Sequence, residues 1–310
     1  MKKKILVLIP LPKVTLDALS QLYQILDVQN SVEQQALFLD GGLADTQAVV
    51  TNGSRGLSSK EMDYLPELQI ICIYGAGYEN LDIVYAHKKG INTTYAPGAN
   101  DETVADHALG MMLCLARGFH QIDPQVKMGG WSNLRGERPT LNSSSLGIVG
   151  LGNIGSKIAQ RAFAFGMNIF YHTPRPKNNS WQYCSTILEL AEKVNYLVIA
   201  CPGGNETFHV INQDILQALG HEAYIINISR GSVIDTNALI KALENGVIAG
   251  AALDVFENEP HIESKLLECN NILLTPHISG RSPSAFKVQT DILMNNLHNQ
   301  FAGQALKHCL

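Results

Sequence analysis

Gly150-Leu151-Gly152-Asn153-Ile154-Gly155 is the stretch that decides how this chain folds. It follows an apolar run, Leu146–Val149, that reads as a strand, and it opens Ile154–Phe165, which reads as a helix. Between a strand and a helix, a G-x-G-x-x-G pattern has a physical meaning. Gly150 permits a tight turn. Gly152 lets the backbone approach a pyrophosphate, and Gly155 lets the helix pack close to the strand. The N–H groups of the helix start, those of Asn153 and Ile154 among them, then face the phosphates with their partial positive charge. The residues predict a dinucleotide site.

Outward from this turn, strands and helices alternate. Downstream, Asn168–Tyr171, Tyr196–Ala200, Ala223–Ile228, Gly250–Asp254 and Ile272–Leu274 read as strands. Ile187–Val194, Gln213–Leu219 and Asn237–Glu244 read as helices between them, the last capped by Asp235 or Thr236. Upstream, Ile5–Ile9, Ala48–Thr51, Leu68–Tyr74 and Asn92–Tyr95 read as buried strands, with helices at Leu16–Leu22, Ser59–Tyr64 and Asp82–Lys89. Such alternation predicts parallel sheets with helical crossovers. A long helix is expected from Glu102 to about His120, capped by Asn100 or Asp101 and ended by Asp123-Pro124. The tail Ser282–Phe301 is helical and amphipathic, too short to stand alone, and expected to pack on the first domain.

The chain has 310 residues, enough for two domains, each with its own core. Hydrophobic residues make up 45% and charged residues 16%, the balance of a soluble globular protein. A net charge of −5 does not favour nucleic acid or an anionic membrane as partner. The lysines at 2–4 before Ile5–Ile9 resemble a signal peptide only briefly, because Pro10 and Pro12 cut the run short. No apolar segment approaches the roughly 20 residues of a membrane span. The six cysteines contain no C-x-x-C pair and lie mostly in apolar runs, so a reducing, cytoplasmic location is expected, and no metal site.

Three polar segments stand where apolar strands end, the edge at which open α/β sheets bind ligands. In Asn227-Ile228-Ser229-Arg230-Gly231, Arg230 offers a planar fork of donors for a carboxylate or carbonyl. Asp254-Val255-Phe256-Glu257-Asn258-Glu259-Pro260 carries three acids. In Thr275-Pro276-His277-Ile278-Ser279-Gly280, His277 stands beside a strand end. Each alone reads as readily as a surface arginine, a solvated acidic loop or a structural histidine. Together they supply what carbonyl reduction needs: a proton donor in His277, a carboxylate in Glu259 that favours its protonated form, and a cation in Arg230.

With these segments the chain resembles the D-isomer-specific 2-hydroxyacid dehydrogenases, and most of all their glyoxylate/hydroxypyruvate reductase branch. The stretch Ile73-Tyr74-Gly75-Ala76-Gly77-Tyr78-Glu79-Asn80-Leu81-Asp82 fits as well. The resemblance implies two doubly wound parallel-sheet domains, a Rossmann cofactor domain (99–282) inserted into a flavodoxin-like substrate domain (1–98 and 283–310), with a cleft at their junction. It implies that Arg230, Glu259 and His277 are catalytic, with Arg230 and His277 on the substrate and the N–H groups of Ala76 and Gly77 on its carboxylate. Asp254 would contact the nicotinamide carboxamide. Thr103, Ser229 and Gly280 would lie along the cofactor, as would Cys201, Pro202 and Thr207 of a Pro-Gly-Gly segment similar to that of NADPH-using relatives. The segment 101–145 would form a homodimer contact, and Trp131 would either be buried there or reach the neighbouring active site.

The second strand of the cofactor domain ends Tyr171-His172-Thr173-Pro174-Arg175-Pro176-Lys177, with no acid between Met167 and Lys177. An acid at this point, about 20 residues beyond the fingerprint, would hold a ribose 2′-OH. Thr173, Arg175 and Lys177 instead suit a 2′-phosphate, so NADPH is the expected cofactor, with NADH the alternative. Pro174 departs from the arginine common in NADP-type relatives, which leaves the reach of Arg175 open. The expected reaction is NADPH-dependent reduction of glyoxylate or hydroxypyruvate to the D-2-hydroxy acid. Enzymes for D-lactate, aromatic keto acids or phosphite would share the catalytic set, and so would dinucleotide-sensing corepressors. Formate dehydrogenases of this fold carry glutamine in place of Glu259. With the sequence ending at Leu310, a long phosphoglycerate dehydrogenase with a regulatory extension is not the expected reading.

Overall fold

A computed structural model describes residues 2–310. The chain divides into two compact units: the residues through Asn100 together with Arg281–Leu310, and Asp101–Gly280.

The first unit holds five strands: β1 (Lys4–Val7), β2 (Gln24–Asp27), β3 (Thr46–Thr51), β4 (Ile70–Ile73) and β5 (Asn92–Thr94). All pair in parallel, in the order β2-β1-β3-β4-β5. This is the flavodoxin-like order. Successive residues of β1 serve opposite faces, as strand geometry requires. Ile5 and Val7 join one core layer, and Leu6 joins the other. The tail helix Pro283–Ala302 closes the first of these layers by burying Leu293 and Leu297 against it. Ser282 caps this helix through its hydroxyl, which accepts from the N–H of Ala285. Through hydroxyl contacts, Thr290 of this helix meets Tyr74, just beyond β4, at 3.0 Å and Thr15 of helix Lys13–Leu22 at 2.7 Å.

The second unit holds seven parallel strands: β6 (Ser145–Val149), β7 (Asn168–His172), β8 (Gln182–Tyr183), β9 (Tyr196–Ile199), β10 (Tyr224–Asn227), β11 (Gly250–Leu253) and β12 (Ile272–Leu274). Their order is β12-β11-β10-β9-β6-β7-β8, the Rossmann arrangement with one strand added. The chain leaves β6 toward β7 on one side and returns to β9 on the other. The carboxyl ends of β6 and β9 therefore mark the switch point where such sheets bind dinucleotides. Helices Gln213–Leu219 and Thr236–Glu244 cover one face, and Asp101–Arg117 and Asn153–Ala164 cover the other.

Two strands and two helices go beyond the sequence reading. β2 and β8 lie at sheet edges and are half exposed, so neither shows an apolar run. Helix Ser31–Leu39 buries only Gln34 and Phe38, and Ser264–Glu268 only Leu266, too little for a periodic signal. The expected helix end is corrected. Asp101–Arg117 stops at Gly118, whose φ of 66° is left-handed, and a second helix, Phe119–Lys127, continues through Pro124. Pro124 forgoes one intrahelical hydrogen bond without breaking the helix. No helix among the described residues is long and apolar enough to cross a membrane.

Candidate active site

The glycine turn has the geometry its sequence demands. Gly150 has a φ of 95°, and a Cβ there would stand 2.6 Å from Cys201 Cα. A Cβ on Gly155 would stand 2.1 Å from the carbonyl oxygen of Gly150, so only glycine lets the helix Asn153–Ala164 begin so close to β6. Gly152 differs. It is the helix N-cap, its φ is −78°, and a Cβ there would meet nothing within 4 Å. This is open space in front of the first-turn N–H groups of Asn153 and Ile154, the place a pyrophosphate requires. A dinucleotide fits this turn.

The other candidate cofactor residues surround the same sheet edge. Ser229 donates its hydroxyl to the carbonyl of Cys201, and Thr207 donates to the carbonyl of Pro202 at 2.7 Å. These bonds tie the loops after β9 and β10 beside the fingerprint. Burial pushes the Cys201 thiol up to about 11, which makes it a packing group rather than a nucleophile. Thr173 is buried and donates to the carbonyl of Arg175 at 2.7 Å, shaping the turn, while Arg175 itself is exposed. Lys177 bends back, and its Nζ donates to the carbonyl of Leu151 inside the glycine turn at 2.6 Å. Thr103 is half-buried in the first turn of Asp101–Arg117, and Gly280 ends the unit.

Arg230, Glu259 and His277 come together at the carboxyl ends of β10, β11 and β12. His277 Nδ1 lies 2.7 Å from Glu259 Oε2. An ionised carboxylate only accepts, so Nδ1 carries the proton in this bond. Glu259 Oε1 accepts from the N–H of Phe256 at 3.0 Å. Burial alone would raise the Glu259 carboxyl, but the hydrogen bonds from His277 and Phe256, aided by the charges of His277 and Arg230, hold it below the usual glutamate range. Asn227, buried at the end of β10, accepts from the N–H of Ser229 at 3.0 Å and donates to the carbonyl of Arg230 at 2.9 Å, fixing that turn. Gly203 leaves room for the arginine, since a Cβ there would stand 2.7 Å from Arg230 Cγ. His277 has a φ of 52°, a left-handed backbone that costs a histidine on the order of 1–2 kcal/mol. Strain of this kind gathers where geometry serves function.

Asp254, at the end of β11, holds the loop beside the His277–Glu259 pair. Its carboxylate is wholly buried and accepts from Thr275 Oγ1 at 2.6 Å, Ile278 N at 2.9 Å and Ser279 N at 2.8 Å. It anchors the loop that carries His277. The residue type at a strand end was visible in the sequence, but its burial was not.

In the first unit, Ala76 and Gly77 lie in the half-buried loop after β4, opened by Gly75 with a φ of 146°. Gly53 supports this loop, because a Cβ there would stand 2.5 Å from the Gly77 carbonyl carbon. Of the side chains that the sequence could not place, Tyr74 is buried and bonded to Thr290 in the tail helix. Asn52 Oδ1 accepts from the N–H of Arg55, and Arg281 lies over the Phe286 ring at 5.3 Å. Tyr78 is 40% exposed and meets Tyr95 edge-on.

Known proteins share this sequence pattern and fold. Residues 109–279 match the family described as D-isomer specific 2-hydroxyacid dehydrogenase, NAD binding domain. A glyoxylate/hydroxypyruvate reductase of Arabidopsis thaliana is 34% identical over 304 residues, covering 97% of each chain. A hydroxyphenylpyruvate reductase of Plectranthus scutellarioides is 36% identical over 262 residues, covering 84% of each. Among solved structures, an NADPH-dependent glyoxylate/hydroxypyruvate reductase of Sinorhizobium meliloti, in complex with NADP and malonate, superposes with a TM-score of 0.90. It is 32% identical and covers 100% of this chain and 97% of its own.

Proposed function

Because the chain belongs to the D-isomer-specific 2-hydroxyacid dehydrogenase family, an enzyme family using nicotinamide dinucleotides, we propose that it reduces glyoxylate or hydroxypyruvate to the D-2-hydroxy acid with NADPH. The observation that carries this reading is the His277–Glu259 pair at 2.7 Å beside Arg230, on the sheet edge that also holds the glycine turn. When bound, the reduced nicotinamide supplies the hydride for the keto carbon. Arg230 holds the substrate carboxylate and keto oxygen through its donor fork. The N–H groups of Ala76 and Gly77 hold the carboxylate, as the family pattern implies. His277 in its doubly protonated form gives the Nε2 proton to the oxygen as negative charge develops there. Glu259 stabilises that imidazolium and keeps Nδ1 turned toward itself.

Preference for NADPH rests on the absence of an acid from Met167 to Lys177, on exposed Arg175, and on the NADP-bound Sinorhizobium relative. A second reading, an aromatic keto acid, draws on the Plectranthus relative and on exposed Tyr78 next to Gly77. We also infer a homodimer through segment 101–145. Helix Phe119–Lys127 buries no residue and exposes Phe119, with Met128 and Trp131 exposed just beyond it. Six free cysteines suit a cytoplasmic location.

Initial rates at 340 nm test the reading, with NADPH and NADH in parallel against glyoxylate, hydroxypyruvate, pyruvate and hydroxyphenylpyruvate. Faster oxidation of NADPH with the small keto acids is expected. Preference for NADH would sink the cofactor assignment alone, and preference for hydroxyphenylpyruvate would favour the second reading. Cofactor binding without turnover of any keto acid would move the function to phosphite or to dinucleotide sensing.

A further inference from the structure

Behind His277 lies a polar chain that runs through Asp254 and Thr275 to helix Asp101–Arg117. Asp254 is wholly buried, and its carboxylate binds the loop at Thr275, Ile278 and Ser279. Its backbone carbonyl accepts the N–H of His277 at 2.8 Å. One residue thus holds four positions of the loop and keeps His277 in its left-handed conformation. A hydroxyl has a single proton to give. Thr275 spends its proton on Asp254 Oδ1, the shorter contact at 2.6 Å. Toward His107 Nε2, 3.1 Å away, the Thr275 oxygen therefore only accepts, so Nε2 of His107 carries a proton. The same Nε2 stands 3.7 Å from Asp254 Oδ1. His107 is on helix Asp101–Arg117, whose packing against the sheet fixes its place.

We propose that His107 is a positioning residue for His277, acting through the Thr275 hydroxyl and the Asp254 carboxylate. The inference rests on the reading of His277 as proton donor. Without a donor at His107 the Thr275 hydroxyl is free to turn from Asp254, the loop loses one of its ties, and the His277 ring loses its alignment with Glu259. Small misplacements of reacting groups are costly to rate, about 10²-fold per ångström.

The test uses full-length protein with His107→Phe, Thr275→Val, Thr275→Ser and His107→Gln. In His107→Phe and Thr275→Val, kcat is expected to fall about 10- to 100-fold, with the dissociation constant for NADPH unchanged. Thr275→Ser, which keeps the hydroxyl, and His107→Gln, which keeps an N–H donor, are expected to recover most of the rate. If His107→Phe fails to fold, Thr275→Val against Thr275→Ser decides. An independent readout is the ring ¹⁵N shifts of His277 in histidine-labelled protein, assigned by their loss in His277→Ala. At a pH where the ring is neutral, wild type is expected to show the proton on Nδ1, and the two disruptive variants a shift toward Nε2. Unchanged kcat and ring shifts in both disruptive variants would overturn the proposal. So would a Thr275→Ser enzyme as slow as Thr275→Val. A wild type inactive on every 2-keto acid would overturn the functional reading instead, and the ring shifts would still decide this one.

Discussion

His277 carries the sharpest expectation among single residues. His277→Ala should lower kcat by about 10²–10⁴-fold while the NADPH dissociation constant, read by fluorescence titration, stays within twofold of wild type. A mutant with wild-type turnover removes the imidazole from the reaction. Glu259 adds a pH dependence with a definite sign. Its carboxyl is held below the ordinary glutamate value of 4.5, so the folded state binds the proton less readily than the unfolded chain. The stability it contributes is therefore complete above that value and drains away as the pH falls through the lower, folded value. Thermal melts of wild type and Glu259→Gln should differ at about pH 5 to 6, and the gap should narrow progressively as the pH falls below about 4.5. A gap that persists into acid would mean the carboxylate charge contributes nothing. Arg175 and Lys177 separate two kinds of cofactor contact. Arg175→Ala should raise KM for NADPH more than for NADH, whereas Lys177→Ala, whose Nζ sits on the glycine turn, should affect both alike. Equal effects of Arg175→Ala on both would show that Arg175 does not read the 2′-phosphate. Residue types at strand ends were legible in the sequence, and Arg230, Glu259 and His277 do converge. What sequence could not show was burial and direction: that Asp254 faces inward with three donors, or that His107 on a distant helix reaches the same loop.

The glycine turn is the element whose residues divide most cleanly into fold and function. Gly155→Ala would place a methyl 2.1 Å from the Gly150 carbonyl oxygen, a clash with backbone that has no flexible side chain to yield. It should destabilise the fold by about 3 kcal/mol and lower the melting temperature measurably. Gly152→Ala meets open space at an ordinary φ, so it should melt like wild type and yet bind NADPH much more weakly, its methyl standing where the pyrophosphate approaches. Calorimetry of both variants, with and without cofactor, checks the pair, and equal cofactor affinity in Gly152→Ala would mean that the phosphates bind elsewhere. The same contrast explains which elements sequence could reveal. Runs such as Tyr196–Ile199 are buried on both faces, and their continuous apolar character announces a central parallel strand. The edge strands β2 and β8 have no such burial and left no signal. Pro124 misled because its effect depends on position. The real break is Gly118, whose left-handed conformation ends one helix and starts the next.

For the whole molecule, the fingerprint and the alternation of strands and helices point to a parallel sheet with a dinucleotide turn, and the Rossmann order follows from the resemblance. The order of the five-stranded sheet depended on β2, which the sequence hid. The surface is where a further level of organisation is written. Helix Phe119–Lys127 has a clear apolar side yet buries nothing, with Phe119 57%, Met128 78% and Trp131 69% exposed. A helix of this composition gains little from standing in water, and in a two-fold dimer each protomer presents the same patch to its partner. A stable interface takes about 800 Å² from each partner, and one buried aromatic supplies about 150–250 Å², so Trp131 and Phe119 together would provide a large part. Wild type should therefore sediment as a dimer at micromolar concentration. Met128→Asp combined with Trp131→Asp should sediment as a monomer, because two carboxylates would face their own symmetry mates across an apolar contact. The variant's far-ultraviolet circular dichroism should stay that of wild type, since neither side chain is part of a core. A monomeric wild type would leave this face without its proposed partner. A variant still dimeric would place the contact on another surface. If the variant is a monomer with full turnover, Trp131 serves association alone; if turnover falls with association, the neighbouring protomer completes the site.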